Sequence, residues 1–472
     1  MVAAASVMPR TDSDRSQALR LLPPVDQILR LEALAGWPRP LLLRAARAWL
    51  DDARAAVFAG RLDATGLQTQ AAPAALAAAI AGRCAAATRR RHERVYNATG
   101  IVLHTGIGRA PLPRAAVAAL VDAAGYAVVE VDPVTGQRDQ REHGVAGLLR
   151  ELTGAEGALV VNNNAAATTL MLTALTAGRE VVVSRGELVE IGGGFRMPDV
   201  MRRAGCAMAE VGATNKTHLR DFAEATNERT VAYLKVHPSN YRIEGFAGTP
   251  SVAELVGLAA GKGLMVLDDL GSGLFWNQPL PGLADEPKVA DSLGAGAHVV
   301  AVSGDKLLGG PQCGILLGKQ DLIAKCRAHP VYRAVRCDKL TLAALEATLL
   351  LYRDGEPLRD VPTLRMLAAE AAELRARSEQ LAGALAAMGA RVVASDSFAG
   401  SGANPARPLP SFAVAVRGGD AQCDALRAAR PVAVFARVAD GDVLLDARTL
   451  LVEDLDAVAA AVLAAWPARK PA

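Results

Sequence analysis

At 472 residues and 51% apolar content the chain can fill a sizeable core, and roughly 100–200 residues per domain makes two to four domains the expectation for a globular protein. A net charge of +3 excludes a polycation, and six cysteines without a C-x-x-C pair argue against a zinc knuckle or a disulfide framework, which fits a reducing compartment. No stretch approaches 18 uninterrupted apolar residues and "MVAAASVMPRTDSDR" has no apolar run behind a basic start, so neither a membrane span nor a signal peptide is expected, and the expected location is cytoplasmic.

Residues 1–90 are expected to form a helical domain. "VDQILRLEALAGW" spaces its apolar residues three and four apart, while "RPLLLRAARAWLDDARAAVFAGRL" and "PAALAAAIAGRCAAATRRR" are alanine-rich with arginine on a polar face. Trp37 and Trp49 are expected to anchor the core of these helices. Residues 1–100 hold 14 Arg, no Lys and 8 acidic residues, a local balance of +6 that leaves −3 for the rest, so this end is the candidate for an anionic partner.

Residues 91–340 change texture. The short β-branched runs "GALVVN", "EVVVS", "TVAYLKV", "GLMVLDD" and "HVVAVSG" alternate with helical stretches, which predicts a doubly wound α/β core with a mostly parallel sheet and a ligand at the strands' carboxyl ends. Residues 341–472 open on "TLAALEATLLLYRDG" and "TLRMLAAEAAELRARSEQLAGALAAMG", expected as long helices, then "RVVAS", "SFAVAVRG" and "DVLLDA" as strands. They predict a small C-terminal α+β domain, with "SDSFAGSGANPARPLP" as a loop.

Three strand ends carry chemistry. "GALVVNNNAAATTLML" runs from a strand through Asn162, Asn163 and Asn164 into a helix start at Ala165, where first-turn amides can hold a phosphate; ordinary asparagine capping explains the motif equally well. "GLMVLDDLGSG" ends a buried strand on Asp268 and Asp269, which are costly near a core unless a cation meets them. "SGDKLLGGPQCG" then sets Lys306 at the next strand end, between glycine turns expected to make room for a ligand. A phosphate cradle, a strand-end carboxylate and a strand-end lysine in this order are what pyridoxal phosphate requires. The lysine amine forms the Schiff base, and a carboxylate keeps the pyridine nitrogen protonated. Alternation puts Asp268 and Asp269 on opposite faces, with Asp268 the preferred partner of that nitrogen. Nucleotide motifs fare worse: after Gly106 and Gly108 in "TGIGRAPL" the third glycine of G-x-G-x-x-G falls on Pro111. Gly192 to Gly194 fit no such motif either.

The segments "NATGIVLHTGIGRAPL", "SRGELVEIGGGFRMPDVM", "VGATNKTHLRDF", "VHPSNYRIEGF", "DDLGSG" and "SGDKLLGGPQCGILLGK" resemble the bacterial selenocysteine synthase family, the L-seryl-tRNA(Sec) selenium transferases. The resemblance runs from "LLPPVDQILR" to about residue 350, with texture alone beyond, and His104 stands where the family pattern has Asn. It implies a fold-type-I pyridoxal phosphate enzyme, built as a large ring of dimers, that turns seryl-tRNA(Sec) into selenocysteyl-tRNA(Sec) through a cofactor-bound aminoacrylate with selenophosphate as donor. It also implies that Arg109, Arg333 and Arg336 line the site and meet the donor anion. A solvated helix face is the plain alternative for the last two, as a small buried hydrophobe is for Cys313 and Cys337. The arginine-rich first 90 residues then become a candidate tRNA-binding module. A β-eliminating lyase acting on a small amino acid would not need that region, and a non-catalytic RNA-binding protein on the same fold would not need Lys306 with Asp268 and Asp269.

Overall fold

The computed structural model describes residues 12–241, 243–400 and 407–466, and the chain divides into two units, Met1–Glu93 and Arg94–Ala472. In the first, the helix Arg39–Phe58 starts after the extended Pro38 and buries Leu42, Ala46, Trp49, Leu50, Ala53 and Val57, a three-and-four spacing that makes one apolar stripe. It packs on the helix Pro73–Thr88 through Leu76, Ile80 and Cys84. Trp49 is in this core and Trp37 packs against it. The helix Ala64–Ala71, which carries no apolar stripe in the sequence, is started by Asp63, whose carboxylate accepts from the Gly66 amide at 2.8 Å. Among the described residues no single helix is long and apolar enough to cross a membrane; Ala64–Ala71 and Pro73–Thr88 pass that test as a bent pair, and their Leu67, Leu76 and Ile80 are buried in this unit's core.

The second unit is built on seven strands: β1 (Gly157–Val161), β2 (Glu180–Ser184), β3 (Ala207–Val211), β4 (Thr230–Val236), β5 (Met265–Gly271), β6 (Val299–Ser303) and β7 (Gly314–Gly318). Their order across the sheet is β1-β7-β6-β5-β4-β2-β3, parallel except for β7, which runs antiparallel to both neighbours. The doubly wound, mostly parallel α/β core is as expected. The central strands are buried on both faces, which is why they are continuous apolar runs. Two strands carry no clear sequence signal. β3, "AMAEV", is an exposed edge with one β-branched residue, and β7, "GILLG", is three apolar residues between glycines, too short a run to tell from a helix segment. The helices α1 (Asn164–Thr176), α2 (Pro330–Val335) and α3 (Lys339–Asp354) frame the carboxyl end of β1 and the amino end of β7 beside it.

A second, five-stranded sheet takes Arg437–Ala439, Asp442–Asp446, Pro408–Arg417 and Arg391–Gly400 from the C-terminal part, and Ile101–Leu103 from far earlier in the chain. The long helix expected over 363–389 is broken into Pro362–Ala368 and Ala371–Ala384. The buried Arg448 guanidinium donates to the carbonyls of Met366, Leu367 and Ala369, so the freed helix-end acceptors are satisfied from another element. The glycine-serine segment expected as a loop is strand through Gly400 and again from Pro408, with residues 401–406 outside the described residues. The hydroxyls of Ser395, Ser397 and Ser411 turn inward to the Asp446 carboxylate, and that burial makes strand of a turn-rich composition.

Candidate active site

The apolar run of β1 ends at Val161, and α1 begins three residues on. Asn163, in an extended conformation, accepts from the Ala166 amide at 2.8 Å and so caps the helix; the amides of Asn164 and Ala165 belong to the first turn, which has no carbonyl one turn earlier to bind. Asn164 turns its amide into the site and donates to Asp269 at 2.8 Å, while its Oδ1 is buried with no hydrogen-bond partner.

Asp269 is the carboxylate the fold aims at this point. It also accepts from Thr168 Oγ1 at 2.8 Å and from the Gly271 amide at 3.1 Å. Burial raises its pKa, and the Asn164 and Thr168 contacts and the Lys306 ammonium pull it back. Asp268, the partner preferred from sequence, is on the other face. It pairs in register with Lys235 of β4 and is fully buried, and burial lifts its pKa to about 7, with the Ser292 hydroxyl and Lys235 only partly offsetting. Alternation along β5 is as expected, but which face meets α1 follows from the helix crossing, which two adjacent aspartates do not encode.

Lys306 follows β6 and is 7% exposed. Burial lowers its pKa, the Asp269 and Asp305 carboxylates raise it, and the Arg109 guanidinium lowers it again. Its amine borders a gap: a Cβ at Gly271, where φ is +64°, would lie 3.8 Å from Lys306 Nζ and 3.6 Å from Ser239 Oγ. The glycines flanking Lys306 do not make that gap. A Cβ at Gly304 would strike Cys313 Sγ at 2.4 Å, one at Gly309 Val361 at 2.3 Å, and one at Gly314 the Asn163 carbonyl at 2.2 Å, so they close the loop and seat β7 against the start of α1.

The three arginines separate into different settings. Arg109, held at φ +61°, a region an L-residue rarely adopts, places its guanidinium 2.6 Å from Asp305, the residue before Lys306. His104 caps that loop: its Nδ1 accepts from the Gly106 amide at 3.1 Å. Arg336 lies beside the end of β1, where it bridges to Val161, and its side chain meets Glu130 at 3.1 Å together with Arg141. Arg333 is exposed on α2 and makes no ion pair among the described residues. No hydrogen bond joins Arg109 to the other two among the described residues.

Sequence reasoning passed over Ser239, His237, Asp305 and Glu286. Glu286 is 4% exposed, receives the Ser272 hydroxyl and lies 3.7 Å from His237 Nε2. It lines, with His237, Glu187 and Ser184, a cavity of about 350 Å³ at the carboxyl ends of β2 and β4. Asp305 and Ser239 sit inside quoted motifs, "SGDK" and "VHPSNY", and being next to a strand end was their only signal. All six cysteines are buried and free. Burial raises the Cys313 thiol well above its usual value and the Cys337 thiol to about 12, which makes both poor nucleophiles.

The L-seryl-tRNA selenium transferase family model matches residues 95–451. A protein of that activity from Solidesulfovibrio magneticus, named L-seryl-tRNA(Sec) selenium transferase, is 49% identical over 93% of this chain and 96% of its own length. One of the same name from Moorella thermoacetica is 46% identical over 95% and 97%. Among solved structures, D-glucosaminate-6-phosphate ammonia-lyase superposes over 79% of this chain and 96% of its own at a TM-score of 0.56 and 21% identity, a likeness of fold alone.

Proposed function

The chain belongs to the L-seryl-tRNA selenium transferase family, and from that membership we propose that it is the enzyme converting seryl-tRNA(Sec) to selenocysteyl-tRNA(Sec), with pyridoxal phosphate as cofactor and selenophosphate as selenium donor. The observation that carries the reading is the Asp269 carboxylate, triply hydrogen-bonded from α1 and β5 and close enough to the Lys306 amine for its charge to raise the amine's pKa. The cofactor fits what surrounds it: the gap that a Cβ on Gly271 would fill, the orphaned Asn164 Oδ1 and the first-turn amides of α1 are the groups an aromatic phosphate needs.

In this reading the amides of Asn164 and Ala165, with Asn163 holding the turn in shape, would hold the cofactor's phosphate, and the Asp269 carboxylate would keep its ring nitrogen protonated. When bound, pyridoxal phosphate supplies an electron-withdrawing ring that weakens the bonds at the substrate α-carbon. Lys306 is the attachment point and the base: its burial favours the neutral amine, which takes the α-proton from the seryl group. The seryl hydroxyl then takes a proton and leaves as water, the donor's selenium bonds to the β-carbon in its place, the α-carbon regains its proton, and water cleaves the selenium–phosphorus bond to release phosphate. Arg109 is held by Asp305 beside the amine, and Arg333 and Arg336 supply cations for the donor's phosphoryl group. The arginine-rich Met1–Glu93 unit docks the tRNA by phosphate contacts.

The enzyme works in the cytoplasm as a large ring of dimers in this proposal. What supports a partner copy is the run of exposed apolar side chains Val117, Val121, Tyr126, Val128, Val131 and Val134, too concentrated for an isolated surface.

Borohydride reduction followed by peptide mass analysis tests the cofactor site. The expected result is a reduced pyridoxyl phosphate mass on the peptide holding Lys306; an adduct on another lysine, or none, overturns the assignment.

A further inference from the structure

Residues 130–139 form a tight hairpin. Val131 bridges to Arg138, the Asp139 amide donates to the Glu130 carbonyl at 3.1 Å, and Asp132 closes the turn by accepting from the amides of Val134 and Thr135 at 2.8 Å each. The Glu130 carboxylate at its base is met by three guanidinium groups: Arg141, Arg336 at 3.1 Å and Arg138 at 3.3 Å. Arg141 is the most buried of them, 15% exposed, and its other nitrogen donates to the Cys337 carbonyl at 2.7 Å, so it is fixed whatever Glu130 does. The nearby Arg327 is already matched by Glu142 at 3.0 Å, and the Asp139 carboxylate is turned to the Gln140 amide and the His143 ring, with no ion pair to the three arginines among the described residues.

Three cations on one carboxylate leave an excess charge of two beside the entrance to α1, because Arg336 pairs with Val161 and the Asn162 amide donates to the Val335 carbonyl at 2.8 Å. We propose that Arg138, Arg141 and Arg336 form an anion pocket in which Glu130 is a built-in occupant, displaced by a phosphate-like dianion. This rests on the reading above, in which that dianion is the phosphorylated selenium donor, and it adds Arg141 to the residues that bind it.

The energetics favour exchange. A partly exposed ion pair such as Glu130 makes with Arg336 is weak, so releasing it costs little, whereas a dianion takes charge-assisted contacts from Arg141 and Arg336 at once. Glu130 is carried by a hairpin rather than by the sheet, so its carboxylate can withdraw while Arg141 stays held by the Cys337 carbonyl and the Arg336 backbone stays bridged to Val161.

The test uses the full-length protein saturated with pyridoxal phosphate, so that the α1 cradle is filled, and titrates inorganic phosphate by calorimetry. Glu130→Gln is expected to bind phosphate about tenfold more tightly, and Arg141→Ala at least tenfold more weakly. Asp132→Ala, which loosens the hairpin turn without removing a charge from the cluster, is expected to tighten binding by less than Glu130→Gln does. Equal or weaker binding by Glu130→Gln overturns the proposal, as does an Asp132→Ala variant that tightens binding equally. Phosphate binding is read without tRNA or turnover. A tightened site with no matching fall in the KM for selenophosphate therefore supports the pocket and overturns the donor assignment alone.

Discussion

Lys306 and Asp269 divide one task through their surroundings. The amine is pushed toward its neutral form by burial, and the carboxylate, although burial raises it, is given three donors that favour its charge. Lys306→Ala is expected to abolish selenium transfer and the cofactor's bound absorbance band while leaving tRNA affinity within about twofold, and Lys306→Arg to fail equally because a guanidinium does not form the imine. Retained transfer by either variant would refute the assignment. Asp268 behaves oppositely. Its folded value of about 7 lies above the usual 3.8, so the folded state keeps a proton that the unfolded chain releases from about pH 4 upward. Its share of stability is therefore present at low pH and lost as pH rises toward 7. Asp268→Asn should flatten the fall in Tm between pH 5 and pH 8 relative to the parent; parallel profiles would show that the carboxyl is not held protonated.

At the scale of elements, the site depends on how closely β7 approaches the start of α1. Gly314 opens β7 opposite Val161, and a Cβ there would fall 2.2 Å from the Asn163 carbonyl and 2.8 Å from the Asn164 nitrogen, both backbone atoms with no rotamer to yield. Gly314→Ala is expected to cost about 1–3 kcal/mol by overpacking and to weaken pyridoxal phosphate binding by more than tenfold, since the shift falls on the phosphate cradle itself. Denaturant unfolding and cofactor titration check the pair of effects. A variant as stable and as tightly loaded as the parent would mean that β7 and α1 can separate freely.

For the whole molecule, the division after Glu93 separates an arginine-rich helical unit from a unit holding every residue of the proposed cofactor site. Deleting residues 1–93 should leave a folded chain that still takes up pyridoxal phosphate. The same deletion should cut tRNA affinity at least tenfold and make its salt dependence shallower, because fewer counterions are released when fewer phosphates are contacted. Filter binding at several salt concentrations, beside the cofactor absorbance, measures both. Equal affinity and equal slope would remove the docking role from this unit and return the small-molecule lyase reading.

The sequence by itself determined the helical start, the mostly parallel core and the order of cradle, aspartates and lysine, because these are local: apolar periodicity marks the elements, and strand ends mark where a ligand meets a parallel sheet. It named Arg109, Arg333 and Arg336 through motif likeness, yet said nothing of Glu130 or Arg141, which join Arg336 only across about 200 residues of chain. Ile101–Leu103 likewise pairs with a strand some 300 residues later, a contact with no local signature. Only the tertiary structure decided that Asp269 faces Lys306, that the glycines around Lys306 seat a strand, and that Arg448 ends a helix it does not belong to. Each of these depends on how two distant elements cross, and burial of one side chain against another is a property of the pair, which neither stretch of sequence carries alone.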